Sequence, residues 1–465
     1  MNKLVIFIVG VVFGIYEAQA QAQAQAQQNI AGAWKGAINI QGQKLGVIFN
    51  IDGEPGQFSG TLDIPMQGAI DLPLTRAEQK ADSVFLTFFT GQGEGKFVGT
   101  FSSNSLITGN YSQGPASFPF EIEKQYSSGE PEPGQGEDLI IQGNGVEIGG
   151  TLVYPDGATE VPLVILISGS SAQNRDSNIF EFKIFAEIAE HLEKQEIASF
   201  RYDDRQVGES TGNFMNTTLD MLAGDVEAII DHLTKMENRG FSEVILLGHS
   251  QGGVVAGKAA SENNRVDQVI LMASTGVPLK DILRFQVKKG FGVGIHDDKD
   301  VEKEIALRED MMAAIRDGKG LEEAKKAYRK QYTFMLKNLP EEQKKGIPDI
   351  ESFVEKQVQQ LVEYYRTPQL QSLLFYDPAE DLAELKVPVL VLFGEKDTQV
   401  TEEINRSPIT NALDKAGVEY EVKVLPDANH LFQKANTGQA SEYPMLDKNF
   451  VNSFLETISS WVKKK

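Results

Sequence analysis

The sequence predicts an α/β fold, a mostly parallel sheet with helices on both faces and a helical cap insertion, preceded by a small all-β domain. Three observations carry this. The runs at 161–167, 244–247 and 387–393 are continuously apolar, as expected of strands covered on both faces. They alternate with amphipathic segments of helical period, the rhythm of a parallel sheet wrapped in helices. Residues 29–125 differ in texture: short β-like runs are separated by turns rich in glycine, asparagine and aspartate.

Taken in order, Met1-Asn2-Lys3 is a short positive region, and residues 4–16 form an apolar stretch too short for a comfortable membrane span. Ala18-Gln19-Ala20 offers a small-x-small cleavage site, and a Gln-Ala repeat follows, so residues 1–27 are expected to be a signal peptide and low-complexity leader. Export to a periplasm or the exterior, with no stable membrane insertion after cleavage, is the matching expectation. In 29–125 the pieces Ser59-Gly60-Thr61-Leu62, Val98-Gly99-Thr100-Phe101 and Thr108-Gly109-Asn110-Tyr111 suggest repeated hairpins, hence a small barrel or sandwich. Residues 126–137 are a linker of proline, glycine and acids.

The larger domain then occupies 138–465. Strands are expected at 161–168, 197–202, 243–248 and 266–273, with helices at 180–194, 217–236 and 251–262 between them. The alternation stops after Ala273 and resumes near Val387. The interval, about 277–375, is helix-rich and charged, with long helices expected at 300–316, 320–337 and 350–365. It reads as a cap over the site. Tyr364, Tyr365, Leu374, Phe375 and Tyr376 are candidate pocket residues there, although an aromatic cluster in a cap is more often its own core.

The chemistry is concentrated at Gly248-His249-Ser250-Gln251-Gly252-Gly253, which follows the apolar run 244–247 and opens a helix-like segment. This G-x-S-x-G sits where a buried strand turns sharply into a helix, which exposes the serine hydroxyl. Gly248 and Gly252 flank the turn because side chains there would collide with crossing backbone. The Gln251 amide, at the helix start, points to where an oxyanion develops. Such a serine needs a base and an acid that orients the base. Of the five histidines, His191 and His232 lie in amphipathic helical segments, His249 points away within the turn, and His296 lies in a glycine-rich acidic loop. His430 remains, in a loop after the strand-like 420–425, at the edge where open α/β sheets build their sites. The acid is assigned to Asp397, in the loop after the strand at 387–393, with Glu395 as competitor and Asp427 constrained by sharing the histidine's turn. A second oxyanion donor is expected after the strand at 161–167, from the Ser170 amide, with Ser171 next.

These residues, together with 201–210 (RYDDRQVGES), resemble bacterial α/β-hydrolases of the serine-aminopeptidase-like group, which includes many esterases. The resemblance covers about 138–465. It implies an α/β-hydrolase fold and hydrolysis of an ester or amide through an acyl-enzyme, with neither metal nor organic cofactor. Two positions depart from it: relatives often carry glycine where Ser171 and Gln206 stand. Arg205 is expected to pair with a carboxylate rather than to touch substrate.

Composition bounds the rest. A formal net charge of −22 argues against nucleic-acid partners and anionic membrane surfaces. The absence of cysteine excludes a lipobox, disulfides, a thiol nucleophile and thiolate metal sites. The expected function is ester hydrolysis by Ser250, His430 and Asp397 on a small-molecule ester. A short peptide cut by the same triad is the alternative, with Asp297, Asp298 or Asp300 available to grip an amine. A non-catalytic ligand-binding protein is the more distant one.

Overall fold

The computed structural model describes residues 29–40, 43–53, 56–64, 69–90, 93–103, 106–113, 116–124, 135–289, 298–338 and 349–464. The expected leader, most of the expected linker, His296 and Asp297 lie outside these residues. The described residues fall into two compact units, one centred on the strands before residue 125 and the other on the sheet beginning at Glu137.

The first unit is a closed barrel of β1 (Gly32–Ile40), β2 (Gln43–Asp52), β3 (Ser59–Ile64), β4 (Ala69–Lys80), β5 (Ser83–Thr90), β6 (Gly93–Ser103), β7 (Leu106–Gln113) and β8 (Ala116–Lys124). Sequential strands pair antiparallel, and β1 closes on β8 with Ile38 opposite Phe120. Alternation decides what faces in: Phe97 is 1% exposed while its neighbour Val98 is 47% exposed. Eight strands enclose a space that side chains can fill. Here Trp34, Phe49, Phe88, Phe97, Tyr111 and Phe120 fill it, with Phe97 edge-on to Phe49 at 4.9 Å and to Phe120 at 5.0 Å. The Trp34 indole N–H, buried with them, donates to the Ile30 carbonyl at 2.9 Å.

The second unit is built on an eight-stranded sheet. Its strands are β9 (Glu137–Gln142), β10 (Glu147–Val153), β11 (Glu160–Ile167), β14 (Ala198–Tyr202), β15 (Gly240–His249), β16 (Gln268–Met272), β17 (Val389–Gly394) and β18 (Tyr420–Leu425), in the spatial order β18-β17-β16-β15-β11-β14-β10-β9. From β14 to β18 all pairs are parallel, whereas β10 runs antiparallel to both β14 and β9. Burial on both faces explains the apolar runs. On β11, Leu163, Ile165 and Ile167 join the core under the helices Leu219–Leu233 and Gln251–Glu262. Val164 and Leu166 join the opposite core, under the helices Ile184–Lys194 and Phe454–Val462.

One expected helix starts late. Residues 180–183 are not helical, because β12 (Asn178–Ile179) and β13 (Phe182–Lys183) form a miniature hairpin. Its corner residues Phe180 and Glu181 take φ of 52° and 68°, the left-handed pair that a two-residue hairpin turn requires. Between β16 and β17 lie the helices Leu279–Lys288, Asp298–Asp317, Leu321–Lys337, Ile350–Arg366 and Pro368–Leu374. Among the described residues, no helix is long and apolar enough to cross a membrane.

Candidate active site

Ser250 stands at the junction of β15 and the helix Gln251–Glu262 with φ 55° and ψ −119°, a strained conformation for a residue with a side chain. Packing enforces it. A Cβ on Gly248 would lie 2.1 Å from the Gly252 carbonyl oxygen, and one on Gly252 would lie 2.2 Å from that of Ile167. The Ser250 N–H donates to the Met272 carbonyl at 2.8 Å, tying the turn to the neighbouring strand β16.

Asp397 lies just past the end of β17 and is 4% exposed. Its Oδ1 accepts from the amides of Gln399 (2.8 Å) and Val400 (3.0 Å), which fixes the carboxylate and leaves Oδ2 for the His430 Nδ1 at 2.7 Å. That contact makes Nδ1 the donor and leaves Nε2 with its lone pair. The His430 loop is held from within: the buried Asn429 accepts from the amides of Leu431 and Gln433, each at 2.9 Å. The competing carboxylates are engaged elsewhere. Glu395 is exposed and accepts from the Asp427 amide at 2.9 Å, and Asp427 pairs with Lys396 at 2.6 Å. Of the other histidines, His191 meets the Ser459 hydroxyl at 3.0 Å and His232 is exposed.

His249 is buried. Its Nε2 lies 3.0 Å from the His430 carbonyl oxygen, so this nitrogen carries the proton, and the two rings are 4.8 Å apart. Burial, with His430 adding to it, lowers its pKa to about 3 and keeps the ring neutral.

Ser170, Ser250, Gln251 and His430 line one cavity of about 110 Å³. Much of its remaining wall is apolar, including Val254, Val277, Leu279, Ile282 and Leu373. Gly169 lies against Ser250, since a Cβ there would sit 3.3 Å from the Ser250 Cβ. The insertion reaches the elbow directly: the Gln369 side-chain amide donates to the Gln251 Oε1 at 3.3 Å. Of the five aromatic and apolar insertion residues noted in the sequence, Tyr376 is in the wall. Tyr365 and Leu374 are buried in the unit's core, Phe375 lies under the Arg316 guanidinium at 4.2 Å, and Tyr364 is 49% exposed. The wall residues Val277, Leu279, Ile282 and Gln286, from the segment just after β16, were not singled out by sequence; an amphipathic helix directly following that strand was the available signal.

Below the Ser170 loop lies a polar layer. Asp204 accepts the Ser168 hydroxyl (2.7 Å to Oδ2) and the Gln173 amide (2.8 Å). Burial raises its pKa to about 7, opposed by these two hydrogen bonds and reinforced by the Asp203 and Asp225 carboxylates. Arg205 makes a bidentate pair with Asp225, both bonds 2.7 Å and both residues buried, which accounts for this arginine without substrate. Ser171 and Gln206 take φ of 70° and 77°, the left-handed region that favours glycine. Among the described residues, no group of three or more His, Asp or Glu side chains is placed to hold a metal ion.

Residues 181–289 match the family described as Serine aminopeptidase, S33, and residues 352–460 match the Dienelactone hydrolase family. Esterase EstD of Thermotoga maritima is 25% identical over 337 residues, which are 72% of this chain and 69% of that protein. Among solved structures, Est1E from Butyrivibrio proteoclasticus with bound ferulic acid is similar at 17% identity, covering 70% of this chain and 96% of that one, with a TM-score of 0.39. The proline iminopeptidase of Mycobacterium smegmatis is similar at 14% identity, covering 70% and 98%, with a TM-score of 0.41. Sheet order, elbow and family matches define the class: the second unit has the α/β-hydrolase fold. Within that class, the family matches and the esterase relative support a carboxylic ester hydrolase.

Proposed function

We propose that the chain cleaves carboxylic esters through an acyl-enzyme on Ser250, with His430 as base and Asp397 as its orienting acid. The observation that carries this is the 2.7 Å contact between His430 Nδ1 and a buried Asp397, in a residue that shares its cavity with the elbow serine. The Ser250 oxygen attacks the ester carbonyl while its proton passes to His430 Nε2. Asp397 holds the tautomer and stabilises the imidazolium. The amides of Gln251 and Ser170 take the tetrahedral oxyanion, and each such donor contributes on the order of 3 kcal/mol to the barrier. The C–O bond then breaks, the alcohol leaves with the proton from His430, and water repeats the sequence to release the acid.

An ester is favoured over a peptide by the cavity wall. Among the described residues, none that lines it is a carboxylate, so none of them would supply a counter-charge to an N-terminal ammonium. Of the acids considered for that grip, Asp300 is not part of this wall. The helices between β16 and β17 are proposed as a cap that shapes the acyl pocket, supported by the Gln369–Gln251 contact. Export is proposed from the composition of residues 1–27; a mature N-terminus between residues 18 and 28 in the cell envelope or medium would support it, and an intact Met1 on a cytoplasmic protein would refute it.

Fluorophosphonate labelling of the protein beside its Ser250→Ala variant tests the mechanism. Labelling confined to the wild type is expected, followed by turnover of p-nitrophenyl esters and little turnover of aminoacyl-p-nitroanilides. A well-folded wild type that takes no label overturns the proposal.

A further inference from the structure

The geometry points to Asp204 as the positioning residue of the oxyanion hole, acting on the Ser170 amide through Ser168 and Gln173; this rests on the Ser250 mechanism proposed above. The loop 168–173 carries the expected second donor but has no regular structure of its own beyond the end of β11. It is closed into a cage by one side chain from the neighbouring strand's end. The Ser168 hydroxyl approaches both Asp204 oxygens, at 2.8 and 2.7 Å, and holds the loop's first residue. The Gln173 amide donates to Oδ2 at 2.8 Å while the Asp204 amide donates to the Gln173 carbonyl at 3.0 Å, which holds the loop's last residue.

The middle is held by Gln173 itself. Its Nε2 donates to the Ser170 carbonyl at 2.9 Å, and its Oε1 accepts from the buried Ser177 hydroxyl at 2.8 Å. Both ends and the centre of the loop are thus referred to Asp204, which is 4% exposed and follows β14. The nucleophile side is pinned to the same place. A Cβ on Gly252 would lie 2.3 Å from the Ser168 carbonyl oxygen, so the start of the elbow helix rests directly on the residue that Asp204 holds. The two donors of the hole, one on each side of this contact, keep their spacing only while Ser168 stays in place.

An oxyanion donor acts on the transition state and little on the bound ester, and a misplacement of about 1 Å can cost roughly 10²-fold in rate. Asp204→Ala is therefore expected to lower kcat for p-nitrophenyl butyrate by roughly 10²-fold with KM changed little. Affinity for a butylboronic acid, whose tetrahedral adduct places an oxygen in the hole, should fall in parallel. Asp204→Asn keeps an acceptor for the Gln173 amide and a donor for the Ser168 hydroxyl, so it should recover much of the loss. Rates are to be normalised to sites titrated with fluorophosphonate. If Asp204→Ala fails to fold, Ser168→Ala, which deletes one hydroxyl, should give a smaller loss of the same pattern. Wild-type kcat and boronate affinity per titrated site in Asp204→Ala, or in Ser168→Ala where Asp204→Ala does not fold, or losses confined to thermal stability, would overturn the inference while leaving the Ser250 mechanism standing. Loss of the mechanism itself would show separately, as turnover retained in Ser250→Ala.

Discussion

The Nε2–H of His249 donates to the main-chain carbonyl of His430 at 3.0 Å, so the residue before the elbow serine holds the backbone of the histidine assigned as its base. The two are 181 positions apart in the chain. This bond fixes the distance between the elbow and the histidine loop independently of the side-chain contact with Asp397.

It has a pH consequence. His249 has a folded pKa of about 3 against an ordinary value of 6.5, so the neutral ring contributes stability that is complete above 6.5 and is lost as pH falls towards 3. The loss is about 1.4 kcal/mol per pH unit across that window. His249→Gln should be less stable than wild type at pH 8 but show a flatter acid limb in urea melts taken from pH 8 to pH 4. Parallel limbs in the two proteins would contradict the assignment.

Asp397→Asn should lower kcat on the order of 10⁴-fold, because the amide cannot hold the tautomer that leaves Nε2 basic. The fold should survive, since Asn retains a carbonyl oxygen for the Gln399 and Val400 amides. Circular dichroism beside steady-state kinetics separates the two effects. Glu395→Gln, at an exposed position, should leave kcat within about twofold.

How much of this was legible in the sequence follows from how local each feature is. The elbow, the helix Gln251–Glu262 and the placement of Ser250, Asp397 and His430 at strand ends are encoded by short stretches whose period or glycine pattern is visible in isolation. The contacts beneath them are not. Ser168 and Asp204 are 36 positions apart and Arg205 and Asp225 are 20 apart, and no local pattern says which carboxylate meets which donor once strands are stacked. The hairpin at 178–183 was masked by a helical period that begins only at Ile184.

Arg205 and Asp225 are each 5% exposed, so removing one partner strands a buried charge. Arg205→Ala should cost about 3–5 kcal/mol in urea unfolding and leave KM of the folded fraction unchanged. A raised KM without loss of stability would instead assign this arginine to substrate.

Gln206 is exposed and holds φ at 77°. A left-handed residue with a side chain costs about 1–2 kcal/mol, and glycine's extra chain entropy costs about 0.5–1 kcal/mol. Gln206→Gly should therefore hold or raise Tm, whereas Gln206→Val should lower it. Differential scanning calorimetry decides between these signs.

Tyr376 takes part in the cavity wall beside Leu373 and Pro378. Tyr376→Ala should shift the preference among p-nitrophenyl acetate, butyrate and octanoate towards the longest, changing the ratio of kcat/KM by roughly tenfold. An unchanged ratio would remove this residue from the acyl pocket.

Among the described residues, pairing of β1 with β8 leaves no barrel strand as an unpaired edge, so these strands offer no template on which a neighbouring molecule could add a strand. The other sheet ends at β9 and β18. β9 opens on the exposed Glu137 and Asp138, and β18 carries Glu421 and Lys423 paired with each other at 2.6 Å. Charge at both borders makes edge-to-edge stacking costly, a guard against fibre formation that suits a chain dominated by β-structure over its first hundred described residues.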